Sequence, residues 1–196
     1  MTDKKYTIFT RGCFDCLHLG HFVLLTTMLV ECSKLLKCSP LDIDFLISLA
    51  GQNVEKFKNI KFVNTEEERK NNLLKTEIIN NVIISNSSKY VLIKNIDKIK
   101  CFCIGEDQEK IPIFQEMIDT CKAKNINILK LPSKILNVSS TLIRKEMFEK
   151  KINYIEAKKN IEAKAILNND SLENILMLKK LNMISESCLD FFNIKL

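Results

Sequence analysis

A chain of 196 residues, 46% apolar and 28% charged, has the composition of a soluble globular protein, which excludes a disordered or fibrous chain and leaves room for one domain, or one domain with an appendage. No apolar run reaches the roughly 18 to 20 residues that span a bilayer, and residues 1–5 lack the apolar stretch of a signal peptide, so the expected location is cytoplasmic with no integral membrane segment. The net charge of +6 is spread through mixed Lys and Glu without a basic stripe studded by aromatics, which suits anionic small molecules and argues against a nucleic-acid partner.

The apolar run at residues 6–9 predicts a short buried strand, and the apolar spacing over 22–36 predicts a helix. Between them lies Thr10-Arg11-Gly12-Cys13-Phe14-Asp15-Cys16-Leu17-His18-Leu19-Gly20-His21. Cys38-Ser39-Pro40 breaks the pattern, and residues 43–49 form a second strand. Thr65-Glu66-Glu67-Glu68 is a capping box that starts a helix running to about residue 80. Strands follow at 82–85, 100–104 and 127–131, separated by helices over 88–98 and from Pro112 to about residue 124, with Ser139-Ser140 capping a further helix over 141–150. This alternation predicts an α/β, Rossmann-like fold: a five-stranded parallel sheet with helices on both faces. Most of the eight cysteines, among them Cys32, Cys101, Cys103 and Cys121, fall inside these patterns and read as small buried thiols of a reducing compartment. From residue 151 the sequence turns lysine-rich, with apolar spacing at Leu172, Ile175, Leu176, Leu178 and Leu181. It predicts a pair of helices packed on the domain or on a second copy, dividing the chain into a catalytic domain, 1–150, and a C-terminal helical extension, 151–196.

The only two histidines, His18 and His21, sit where a strand, a glycine turn and a helix start meet. First-turn N–H groups lack intrahelical partners and the helix dipole favours anions there, so the stretch has phosphate-binding geometry. Two other readings compete: hydrogen-bonded histidines with no further role, or a zinc quartet with Cys13 and Cys16. A single residue separates Cys16 from His18, whereas structural zinc sites set two ligand pairs about 12 or more residues apart, so no protein-bound metal is expected. The pattern Gly12-x-Phe14-Asp15-x-x-His18-x-Gly20-His21 resembles the signature of the nucleotidyltransferase superfamily that carries a His-x-Gly-His motif. The resemblance implies that His18 and His21 contact a triphosphate and stabilise charge as pyrophosphate leaves. It also implies that Gly20 admits the nucleotide to the helix backbone and that Gly12, Cys13, Phe14 and Asp15 line the nucleotide, with Asp15 orienting the turn or the metal.

Val138-Ser139-Ser140-Thr141-Leu142-Ile143-Arg144 resembles the superfamily's second signature, Ile-Ser-Ser-Thr-x-x-Arg. Hydroxyls and free N–H groups at a helix start suit the β- and γ-phosphates, and Arg144 can add a bidentate contact. Residues 57–69 resemble the segment of glycerol-phosphate and choline-phosphate cytidylyltransferases in which a loop lysine precedes a Glu-x-Arg helix start. By that match Lys58 reaches the α-phosphate. The spacing is one residue longer than in the family, which leaves Lys61 as an alternative to Lys58 for the loop lysine, and Arg69 would contact phosphate or anchor the helix. Gly105-Glu106-Asp107 is similar to the family's Gly-Asp-Asp turn at the base and ribose site, and Lys134 stands nearest to the arginine of its Arg-Thr-Glu-Gly signature.

The implied activity is transfer of a nucleoside monophosphate, CMP favoured, from a triphosphate with Mg²⁺ to a phosphorylated small-molecule acceptor, with homodimerisation left open. Arg144 fits the adenylyltransferase version of the second signature, which keeps adenylyl transfer to phosphopantetheine or nicotinate mononucleotide as the alternative. A non-catalytic nucleotide-binding protein is the reading from another class; such a protein usually loses a histidine or the lysine loop, and this chain has both.

Overall fold

The computed structural model describes residues 5–132 and 136–195, without the side chains of Phe57 and Lys58. Five strands, β1 (Tyr6–Gly12), β2 (Ile43–Ala50), β3 (Asn81–Ser85), β4 (Ile99–Gly105) and β5 (Asn127–Leu131), form one sheet in the order β3-β2-β1-β4-β5. Every neighbouring pair is parallel. The helices of the α/β unit are α1 (Leu19–Leu36), α2 (Val54–Lys58), α3 (Glu66–Leu74), α4 (Ser88–Lys94), α5 (Pro112–Ala123) and α6 (Ser140–Lys150); α7 (Tyr154–Glu162), α8 (Asn169–Lys180) and α9 (Glu186–Phe191) follow.

Side chains alternate across a strand, and each central strand therefore feeds two cores. Ile8, Ile47, Cys101 and Cys103 pack with α1 on one face, together with Leu73 of α3, Ile175 and Leu178 of α8, and Leu189 of α9. On the other face Phe9, Leu46, Phe102 and Ile104 pack with Val91 of α4 and with Phe114 and Met117 of α5. This is the expected α/β architecture with helices on both faces of a parallel sheet. By length and composition α1 would cross a membrane, but here it is the core helix against the sheet.

Several details differ from the sequence reading. Helix α3 stops at Leu74 instead of about residue 80, because the chain turns at Thr76, whose hydroxyl donates to the Leu73 carbonyl, and Glu77 takes a left-handed φ of 63°. Helix α4 stops at Lys94, where the Asn95 amide reaches back to the Val91 carbonyl. Helix α2, five residues long, is too short to show a period. The extension holds three helices where two were expected, each started by a side-chain cap, from Asn153, Asn168 and Ser185.

The sulfur atoms of Cys32, Cys101 and Cys103 lie within 4.8 Å of one another in the α1 core. Hydrogen bonds to Cys101, together with burial, push the thiols of Cys32 and Cys103 up, while the same contacts hold the Cys101 thiol down. The Cys32 and Cys103 sulfurs lie 3.3 Å apart.

The extension is built into the core. Phe192 stacks on Phe22 of α1 with ring centroids 4.3 Å apart, and both rings are fully buried. Replacing Phe192 by Ala is expected to cost about 3–5 kcal/mol and to lower a single cooperative urea transition followed by circular dichroism. A loss under about 1 kcal/mol, or a separate early transition for the extension, would show that it is independent of the domain.

Candidate active site

In a parallel sheet all strands end on one edge, and ligands bind there where the strand order reverses. Here the chain steps outward through β2 and β3 on one side of β1 and through β4 and β5 on the other, so the reversal lies between β1 and β4. Gly12 ends β1 and Gly105 ends β4, which brings the first signature and the Gly105-Glu106-Asp107 turn to the two sides of that crevice. Glu106 and Asp107 are exposed in a short helical turn, and the Gly105 N–H donates to Gln108.

Between Gly12 and α1 the chain bends sharply, with Phe14 and Cys16 both left-handed at φ 47° and 49°. Such conformations cost roughly 1–3 kcal/mol each in non-glycine residues and persist only where surroundings hold them. Asp15, between them, supplies the hold. Its buried carboxylate accepts the Val63 and Asn64 N–H groups at 3.1 and 3.0 Å and pairs with Arg144 Nη1 at 2.8 Å. Its own carbonyl accepts the Ser140 hydroxyl at 2.6 Å. Asn64 returns a bond, its Oδ1 accepting the Cys16 N–H. Nothing in the sequence marks Asn64, a lone loop asparagine, as a partner of residues so distant in the chain.

The glycines of the signature are fixed by close approach. A Cβ on Gly12 would lie 2.6 Å from the Phe14 ring, and one on Gly20 would lie 3.0 Å from the Val138 carbonyl and 3.1 Å from His18 Cε1. His18 is the N-cap of α1, and its Nδ1 accepts the His21 N–H. A neutral ring with Nδ1 as acceptor carries its proton on Nε2, so the fold leaves His18 a single N–H donor. The His21 ring stacks on it, centroids 3.8 Å apart, and Phe14 meets the His21 ring edge-on at 5.2 Å. His21 Nδ1 is buried with no protein partner. Burial lowers the His18 pKa, helped by the charges of His21, Lys158 and Arg144, and burial brings His21 down to about 4. Both rings are therefore neutral near pH 7.

Around this pair the structure gathers the second signature. Ser139 caps α6 by accepting the Leu142 N–H, Ser140 holds Asp15, Thr141 is exposed and Val138 is buried against Gly20. Arg144 is half-buried and spends Nη1 on Asp15. Arg69 is fully buried: its Nη1 donates to the carbonyls of Cys13 and Ala50, its guanidinium lies 4.3 Å over the Phe62 ring, and Nε and Nη2 have no protein partner. It anchors the ends of β1 and β2 and leaves positive charge under the loop. Lys61 is exposed on the segment after α2. The Lys58 side chain and all of Lys134 lie outside the described residues. Residues of the extension also reach the signature: the Tyr154 hydroxyl donates to the Leu17 carbonyl, and the Glu162 carboxylate accepts the Leu19 N–H. The sequence gives no sign of either contact, since both residues look like ordinary positions of a surface helix.

A family model described as cytidylyltransferase-like matches residues 9–146, so α7, α8 and α9 lie beyond the matched span. Among solved structures the chain is similar to a lipopolysaccharide core biosynthesis protein from Thermoplasma volcanium, with 19% identity, a TM-score of 0.47 and coverage of 66% of this chain and 97% of that one. It is also similar to a protein with unknown function from Archaeoglobus fulgidus, with 18% identity, a TM-score of 0.44 and coverage of 64% and 88%. No curated protein matches significantly.

The depressed histidines have a consequence for stability. In an unfolded chain both imidazoles titrate near 6.5, whereas folded His21 takes its proton only near pH 4 and His18 is also depressed. Below pH 6.5 the unfolded state therefore binds protons first, and stability falls as pH drops from 6.5 towards 4. The urea midpoint of the wild type is expected to fall more over this window than that of a His18→Gln/His21→Gln double variant. Imidazole midpoints near 6.5 in the folded protein, read by NMR, would contradict the assignment.

Proposed function

Because the chain belongs to the cytidylyltransferase-like family, we propose that it is a nucleotidyltransferase that moves a nucleoside monophosphate, CMP in preference, from a triphosphate to a phosphorylated small-molecule acceptor. The observation that carries this reading is the stacked His18–His21 pair at the start of α1, beside the β1/β4 crevice. An ionised oxygen of the acceptor phosphate attacks the α-phosphorus of the triphosphate. The new P–O bond forms as the bond between the α-phosphorus and its bridging oxygen breaks, and the electron pair leaves with pyrophosphate. The acceptor is already a charged nucleophile, so no covalent enzyme intermediate is needed, and the work of the protein is position and charge.

The neutral histidines serve as hydrogen-bond donors to the phosphate oxygens on which charge builds, preorganised by their stacking and by the α1 backbone. Free N–H groups at the start of α6 with Thr141 would hold the far phosphates, and Arg144 would offer the donors that Asp15 does not use. Lys58 or Lys61 would reach the α-phosphate. Mg²⁺ has no set of carboxylates waiting for it at the signature loop: Asp15 is already committed to Val63, Asn64 and Arg144. The ion would arrive on the triphosphate oxygens, which is the usual way this cation is held.

CTP is favoured because the 57–69 segment and the Gly105-Glu106-Asp107 turn, from separate parts of the chain, both resemble cytidylyltransferases. A pyrimidine is told apart by hydrogen bonds to its carbonyl and amino edge, and a site built that way rejects a mismatched base strongly. Main-chain groups near Gly105 and the residues before Ser139, Lys134 among them, are the proposed readers.

The test is pyrophosphate release with Mg²⁺, each of the four nucleoside triphosphates and a panel of phosphorylated acceptors. His18→Ala and His21→Ala are each expected to lower turnover about 10²-fold or more; near-normal turnover in either would overturn the assignment. Chelation by EDTA should abolish turnover without lowering the melting temperature. In thermal shift, a triphosphate at about 100 times its dissociation constant adds roughly 2.7 kcal/mol. An upward shift with CTP is expected. A shift with ATP and none with CTP would replace cytidylyl by adenylyl transfer, with phosphopantetheine or nicotinate mononucleotide as the acceptors to try.

A further inference from the structure

Helix α7 lies beyond the residues matched by the family and nevertheless touches the chain on both sides of His18. The Tyr154 hydroxyl, from the first residue of α7, donates to the Leu17 carbonyl at 2.9 Å. From its last residue, Glu162 accepts the Leu19 N–H at 2.6 Å. The Leu17 carbonyl belongs to the peptide plane before His18, and the Leu19 N–H to the plane after it. Because a residue's φ and ψ are the rotations of those two planes about its Cα, the two bonds together fix the backbone of His18 at φ −137° and ψ 169°. The ring is fixed from the other side, by the His21 N–H on Nδ1.

The clamp is itself held. The Glu162 side chain is 1% exposed, with Oε2 accepting the Asn193 amide at 2.9 Å and lying 3.4 Å from Lys158 Nζ. Lys158 in turn donates to the Phe191 carbonyl at 2.6 Å and lies 4.2 Å over the Phe191 ring. A buried carboxylate at a helix start is favoured by the dipole and by the unpaired first-turn N–H it satisfies. Cys16, Ile143 and Ala157 form a small apolar cluster that joins the signature loop, α6 and α7 beneath the clamp, and Tyr154 packs against it.

We propose that Tyr154 and Glu162 are positioning residues, through which the C-terminal extension sets the backbone and ring of His18 and so forms part of the active site. The kinetic consequence rests on the nucleotidyltransferase reading; the structural consequence does not. A half-buried hydroxyl and a buried carboxylate at the two ends of a short helix would be an expensive way to cap a surface, since polar groups taken out of water are tolerated when hydrogen-bonded. Both are satisfied by consecutive peptide groups around a single side chain.

The experiment uses the full chain with Tyr154→Phe, which keeps the ring and removes the hydroxyl, and Glu162→Gln, which keeps the size of the side chain and weakens the charge-assisted bond from the Leu19 N–H. His18 is followed by nitrogen NMR of its imidazole, which distinguishes an Nδ1 acceptor with an Nε2 proton from a mixture of tautomers. In both variants the His18 nitrogen signals are expected to move towards a mixture, Tyr154→Phe keeping the wild-type melting behaviour. Turnover is expected to fall about 10-fold with KM for the triphosphate within about twofold, as for an interaction felt in the transition state and not in ground-state binding. Unchanged His18 signals in both variants overturn the proposal, whatever the turnover. If the wild type releases no pyrophosphate from any triphosphate, the catalytic reading fails and the His18 signals alone decide whether α7 positions the ring.

Discussion

The buried carboxylate of Asp15 is the contact on which the rest of the site depends. It has no sequence neighbour among its main partners: two come from the amides after α2 and one from Arg144 on α6. Burying such a charge is tolerable only with several donors at good distance. Those donors fix the loop after β1, the entry to α3 and the start of α6 with respect to one another. The left-handed turns at Phe14 and Cys16 are possible because Asp15 between them is held from both sides. The histidines of α1 follow directly from that loop, so their placement inherits its rigidity.

Much of the architecture is legible in the sequence because its signals are local. An apolar run followed by a capping residue is enough for the strands and for α3, where Thr65 and Glu68 cap one another within a single turn. Helix α2 escapes because five residues give no period to read. The third helix of the extension escapes because its apolar residues, such as Cys188 and Leu189, are few, and only Ser185 marks its start.

At the site the division runs along the same line. His18, His21, Gly20 and the serines of α6 stand out because each belongs to a compact motif. Asn64, Tyr154 and Glu162 do not, because what they do depends on a partner far away in the chain. Arg69 stands in the sequence as a phosphate or helix-anchoring residue; in the structure it holds the Cys13 and Ala50 carbonyls on one guanidinium nitrogen, partners that the sequence does not mark. The cysteine trio likewise arises from residues on α1 and β4 that only the packing of the helix on the sheet brings together.

The fit at Gly20 makes the two signatures one steric unit. With the Val138 carbonyl 3.0 Å from where a side chain would begin, the first turn of α1 and the segment entering α6 meet with less than a methyl group to spare. A methyl there would have to displace either the backbone at 138 or the ring of His18. Motifs at opposite ends of the domain are thus coupled: a side chain at residue 20 pushes on the His18 ring or on the segment entering the serine helix, and a retreat of that helix would withdraw Ser140 and Arg144 from Asp15. The spacing between the motifs along the chain is open to insertion and drift, while the gap between them in space is not.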